Sequence, residues 1–213
     1  MPSISFTTYL VLAVVTLTAL GLLAQCVTNF KSKRAEFLSF PIALFLLLPY
    51  PAWIALGIFR DDWPLILMMV LLGVPNFILS MQFFVYEWQR KPAPRLALED
   101  HVALLLTAGG LLTIVWALYT RSAAEAAGLG GVYFTSCLMI YSYLVKVWRV
   151  YRGHQNLDGL RWVVLITLSI QYGFMILYGQ NSGIWLLKLG YGIAEISVFI
   201  AMAYKLANQR SSE

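Results

Sequence analysis

A chain of 213 residues that is 60% hydrophobic and only 12% charged lies outside the range of soluble globular domains, and its apolar residues fall in blocks rather than amphipathic stripes. This composition predicts an integral membrane protein with little chain left for a soluble domain. The net charge of +5 calls for no nucleic-acid partner, because basic residues gathered on one side of a membrane account for it.

Seven apolar runs are long enough to cross about 30 Å of hydrocarbon, and being continuous rather than alternating they read as helices, not barrel strands. Span one, 8–29, follows MPSIS, which holds no basic residue and so lacks the charged start of a signal peptide; the span is expected to be retained. The others are 37–59, 63–86, 102–120, 126–148, 162–179 and 184–205. Loops after spans one, three and five, with the C-terminal end, carry Lys31, Lys33, Arg34, Arg90, Lys91, Arg95, Lys146, Arg149, Arg152, Arg161, Lys205 and Arg210. The opposite side carries only Arg60 and Arg121, which puts the N-terminus outside and the C-terminus in the cytoplasm of a cell membrane. Trp63, Trp88 and Trp148 fit an interfacial aromatic belt. Cys26 and Cys137 lie within apolar spans and read as small buried residues rather than a disulfide or a metal site. His101 and His154 sit at span ends. No nucleophile with a nearby base, metal cluster or paired carboxylates appears within the spans, so no enzyme, metal or cofactor is expected.

Sliding the sequence on itself by 122 positions aligns Leu22 with Leu144, Leu38 with Leu160, Leu46 with Leu168, Tyr50 with Tyr172, Ile54 with Ile176 and Gly57 with Gly179. Shortening the next loop by three residues pairs Gly73 with Gly192 and Asn76 with Glu195. Spans one to three and five to seven thus read as two copies of one three-helix unit. Two such copies in the same orientation need one span between them, and span four supplies it. The expected architecture is all-α, 3-1-3, with a first bundle over 1–90, a linker helix over 91–125 and a second bundle over 126–213. Parallel repeats of this kind hold a substrate between the halves, which rock around it.

Gln25, Lys33, Glu36, Leu38-Ser39, Trp53, Gly57, Asp62 and Pro64 follow one another without a gap, and LDGL at 157–160 and YG at 178–179 echo them in the second unit. In these residues the chain resembles the SWEET, SemiSWEET and PQ-loop transporters. The resemblance implies an alternating-access carrier whose partners are a small-molecule substrate and the lipid bilayer, with self-association left open. It also marks departures. Ala24 stands where the family has the Pro of its Pro-Gln pair, and the corresponding part of span five carries Lys146 and Val147. Met69 and its repeat counterpart Lys188 stand where family sugar carriers have Asn, and Met175 is the counterpart of Trp53. A small polar metabolite other than the usual neutral sugar is therefore expected, with proton coupling open. The PQ-loop architecture also resembles ligand-sensing or sorting receptors. A third reading is a retinal protein with Lys188 as Schiff base, although Ile184 replaces the acid expected four residues earlier and span three holds no counter-ion.

Glu195 lies about 18 Å into span seven, near mid-membrane, where a carboxylate is costly unless a cation pairs with it or it takes up a proton. It leads the candidates for a substrate or proton site, with Asn76 expected to face it across the pseudo-two-fold axis. Lys188 is shallower, about 7 Å in, and either snorkels to the outer interface or reaches into a cavity as a partner for an anion. Trp53 is a candidate gate, Tyr50 and Tyr172 offer hydroxyls, and Gln25 can bond substrate or backbone; Met69 and Met175 complete the expected lining.

Overall fold

The computed structural model describes residues 6–35, 37–47, 49–59, 61–89, 97–120, 124–152, 160–181 and 185–210. Within them lie α1 (Phe6–Ser32), α2 (Phe40–Leu47), α3 (Pro49–Phe59), α4 (Trp63–Phe83) running into a π-turn at Phe84–Trp88, α5 (Leu98–Thr120), α6 (Ala124–Tyr151), α7 (Trp162–Asn181) and α8 (Trp185–Arg210). No strand occurs among the described residues. Stretches over Tyr9–Ser32, Phe40–Phe59, Trp63–Trp88 and Lys188–Ala207 are long and apolar enough to cross a membrane, and Trp162–Leu177 is a shorter apolar helix. Helices suit that solvent because each closes its own backbone hydrogen bonds. Large apolar side chains point outward all round, among them Leu17, Phe77, Leu105, Leu112 and Ile196. Such a surface belongs in lipid rather than water, and the chain is an all-helical membrane protein.

The predicted span edges fall within a few residues of the helices. The second span appears as two helical segments, and the second of these begins Pro49-Tyr50-Pro51. Proline suits a first turn, whose N–H groups have no partner within the helix. At the start of α4 the Asp62 side chain accepts a hydrogen bond from the Leu65 N–H (3.1 Å), and Pro64 occupies the first turn. Asp61 before it takes a left-handed conformation with φ 50°, which turns the chain sharply from α3 into α4. The Asp-x-Pro motif is therefore a helix cap.

The α2 segment is buried over Phe40–Phe45, as a helix apolar all round should be. Ser80 of α4 donates to the Ala43 carbonyl (2.8 Å) and Ser142 of α6 to the Pro41 carbonyl (3.0 Å), pinning α2 from two sides. The α1 helix packs on α4 and α7, α2 and α3 pack on α4 and α6, and α8 packs on α6 and α7. The α5 helix lies against α6 and α2. Arg149 near the end of α6 donates to Glu99 at the start of α5 (2.6 Å) and lies 3.6 Å from Asp100, so these two helices run antiparallel. Trp63 and Trp148 are exposed as a belt requires, whereas Trp88 is half-buried and stacks on Phe40 with ring centroids 4.6 Å apart. Cys26 is buried and Cys137 exposed, and both are free thiols. Glu36, Arg60, Arg90, Lys91, Arg95, Arg121, His154 and most of the LDGL stretch lie outside the described residues.

Candidate functional site

Between α1, α2, α3, α4, α6, α7 and α8 lies a cavity with about 70 Å³ of water-accessible space. Its walls follow the sequence repeat closely. Leu38, Ile42, Leu46 and Tyr50 line one side, and Leu160, Val164, Leu168 and Tyr172 line another. Each residue of the first set stands 122 positions before one of the second; Leu38 and Leu160 precede α2 and α7, and Tyr50 lies in the first turn of α3. Leu79 and Val198 form a further pair at the shorter offset of 119. On α1 the cavity takes Leu22 and Gln25, and on α6 Tyr143 and Lys146, each pair three residues apart.

The polar groups converge from six helices. Asn76 of α4 donates to the Tyr50 hydroxyl and to the Leu72 carbonyl, the latter at 2.9 Å. The hydroxyls of Tyr143 and Tyr172 are hydrogen-bonded to each other, and the Tyr172 ring lies 5.5 Å from that of Tyr191. Gln25 is fully buried. Its Nε2 donates to Asn29 (2.8 Å) and its Oε1 accepts from the Arg161 N–H (3.0 Å), just before α7. The glutamine therefore ties the first half of the chain to the second while its stem lines the cavity. Lys146 stands one turn beyond Tyr143 on α6, with Nζ 6.0 Å from the Tyr143 ring centroid. Gln171 on α7 is buried, and its Oε1 has no hydrogen-bond partner.

One end of the cavity is closed by a small apolar cluster of Trp53, Leu56, Leu65, Met69 and Met175. Trp53 and Met175 are again 122 apart and lie one turn beyond Tyr50 and Tyr172. Tyr50 and Tyr191 pack against the cluster, so they stand on the boundary between cavity and plug. At the opposite end Lys205 of α8 donates to the Leu160 carbonyl (2.8 Å), beside the Gln25 tie to Arg161.

No protein-family model, curated protein or solved structure matches the chain. The site is therefore read from its own chemistry.

Of the residues singled out from the sequence, Gln25, Tyr50, Asn76 and Tyr172 line the cavity, and Trp53, Met69 and Met175 form its plug. Glu195 and Lys188 are not among the lining residues. Glu195 is turned toward α7, where its Oε1 accepts from Ser169, so it does not face Asn76 across the cavity. Its Oε2 is buried without a partner. On α8 the cavity takes Tyr191 and Val198; Glu195 lies within a turn of both, but its carboxyl is bonded to Ser169 of α7, while Ala194 beside it is fully buried.

Sequence reasoning missed Lys146, Gln171, Tyr143 and Tyr191. Lys146 looked like one more cytoplasmic basic residue, and at the offset of 122 its counterpart is the apolar Ala24. The described residues contain no group of His, Cys, Asp and Glu able to hold a metal ion.

Proposed function

We propose that this protein is a SWEET-like alternating-access carrier of a small polar metabolite, built as two three-helix bundles joined by α5. The observation that carries this reading is the pair of matched stripes, Leu38 to Tyr50 and Leu160 to Tyr172, lining one cavity whose mostly apolar wall carries a few polar groups. Repeat-related walls are what two bundles rocking about a common site require, because each must present an equivalent surface when the other end opens. Helix packing supports it in the same way. The first helix of each unit contacts the second helix of the other, through α1 with α7 and α6 with α2 and α3. Within each unit the third helix contacts the first and second, α4 with α1, α2 and α3, and α8 with α6 and α7.

Both ends of the site are closed by contacts that join the bundles. The plug brings Met175 of α7 to Trp53, Leu56, Leu65 and Met69, and the Gln25 tie joins α1 to the start of α7. Apolar packing and one hydrogen bond are each small enough to exchange for lipid or water contacts during rocking. With the basic residues on the cytoplasmic side, the plug is the outer closure and the Gln25 tie the inner one. Proton coupling is assigned to Glu195, whose unpartnered carboxyl oxygen is buried between α7 and α8.

The test is counterflow in proteoliposomes containing the purified chain, with solutes first chosen by thermal-shift screening of sugars, amino acids, organic acids and vitamins. Saturable exchange of a stabilising solute is expected. Stabilisation by a solute that is never exchanged across the bilayer would overturn the carrier and leave a binding receptor.

A further inference from the structure

Within the carrier reading, the cavity holds a feature the repeat does not explain. Where α1 brings the neutral amide of Gln25 to the wall, α6 brings Lys146. The cavity wall around it is otherwise uncharged: among the described residues lining it the polar side chains are Gln25, Tyr50, Asn76, Tyr143, Gln171, Tyr172 and Tyr191, and no carboxylate. Glu99 and Asp100 of α5 are engaged by Arg149, one turn beyond Lys146 on α6. An ammonium held among apolar and phenolic walls without a counter-charge is costly, and an anion entering the site relieves that cost.

Gln171 supplies a second, independent observation. It is 5% exposed, it lines the same cavity, and its Oε1 has no partner. A buried acceptor left empty asks for a donor, so the missing ligand brings both a negative charge and a hydroxyl or amine hydrogen. About 70 Å³ of space restricts it to a few heavy atoms.

We infer that the site takes a small monocarboxylate bearing a hydrogen-bond donor, its carboxylate on Lys146 and its donor on Gln171. This places the selectivity for charge on α6, not on Lys188 of α8. Tyr50, Tyr143, Tyr172 and Tyr191 then enclose the carbon skeleton, with rings able to pack and hydroxyls able to bond.

The experiment measures thermal unfolding of the detergent-purified full chain with glycerate, lactate and acetate. Glycerol serves as the neutral match, and chloride and inorganic phosphate are compared at equal ionic strength. Glycerate and lactate are expected to stabilise the wild type in a saturable way, acetate less, and glycerol, chloride and phosphate not at all. Lys146→Met should lower apparent affinity for glycerate at least about tenfold, as removal of one partner from a desolvated charge pair does, while Lys188→Met leaves it unchanged. Gln171→Leu should abolish the advantage of glycerate over acetate. Equal responses to glycerate and glycerol, equal responses to chloride and carboxylate, no response to any carboxylate, or a glycerate response surviving in Lys146→Met would each overturn the inference. Should Lys146→Met fail to fold, the wild-type comparison of glycerate with glycerol and chloride decides alone. Counterflow of a neutral solute without carboxylate binding would sink this inference and leave the carrier standing; carboxylate binding without exchange would do the reverse.

Discussion

The side-chain oxygen of Gln25 in α1 accepts a hydrogen bond from the backbone N–H of Arg161 at 3.0 Å, joining α1 to the entrance of α7. Its amide nitrogen is spent on Asn29 at 2.8 Å. One buried amide thus caps α7 and closes one end of the cavity.

Gln25→Leu should cost stability because it strands the buried Asn29 side chain and removes the part-buried bond from the Arg161 N–H. Each lost bond of this kind is worth about 1 kcal/mol and an orphaned buried group about 1–3 kcal/mol. Unfolding in mixed micelles should show a loss of about 2–4 kcal/mol. No change would mean that the tie is not made in the membrane-embedded protein.

The Trp53 and Met175 plug should open and close during exchange. With Cys26 and Cys137 replaced by alanine, a single cysteine at position 175 should react with a membrane-impermeant maleimide added outside. The reaction should slow severalfold once a bound solute holds the site closed. A cysteine that never reacts from outside, with or without solute, would show the plug to be permanent packing.

Glu195→Gln keeps a side chain that can bond Ser169, so folding should change by less than about 1 kcal/mol, within the range of a substitution that preserves shape and partners. Uptake driven by a pH gradient in wild type should become insensitive to that gradient in the variant. If the gradient acts on both alike, Glu195 is a structural group between α7 and α8.

Arg149 with Glu99 and Asp100 forms the ion pair between α6 and α5, and its side chains are partly open, at 24% for Arg149 and 34% for Glu99. A double-mutant cycle of Arg149→Ala with Glu99→Ala should return a coupling of about 1 kcal/mol or less, shrinking with added salt. A coupling of several kcal/mol would mean that the pair is desolvated by lipid headgroups or by another copy of the chain.

The positions of the helices were legible in the sequence because crossing hydrocarbon demands a minimum run of apolar residues, and a run announces itself without reference to any neighbour. The Asp62 cap and the repeat were legible for similar reasons: a cap is local chemistry, and Tyr50 with Tyr172 align by counting. Depth along a helix follows from counting too, and on that ground Glu195 and Lys188 were credible.

Facing was not legible. A span that meets lipid on one side and apolar neighbours on the other is hydrophobic all round, so no stripe marks its inner face. Only helix packing decided that Glu195 turns to Ser169 while Tyr191 and Val198 meet the cavity. Packing likewise made Trp53, Met69 and Met175 a plug beneath the site rather than its lining. Charge failed as a guide for the same reason: Lys146 counted among the basic residues that orient the chain, and only the packing of α6 against α2, α3 and α8 brought its side chain to the cavity wall. Sequence by itself thus determined which segments are long apolar helices. The tertiary structure alone decided which residues meet, because azimuth is set by the neighbours and not by the helix.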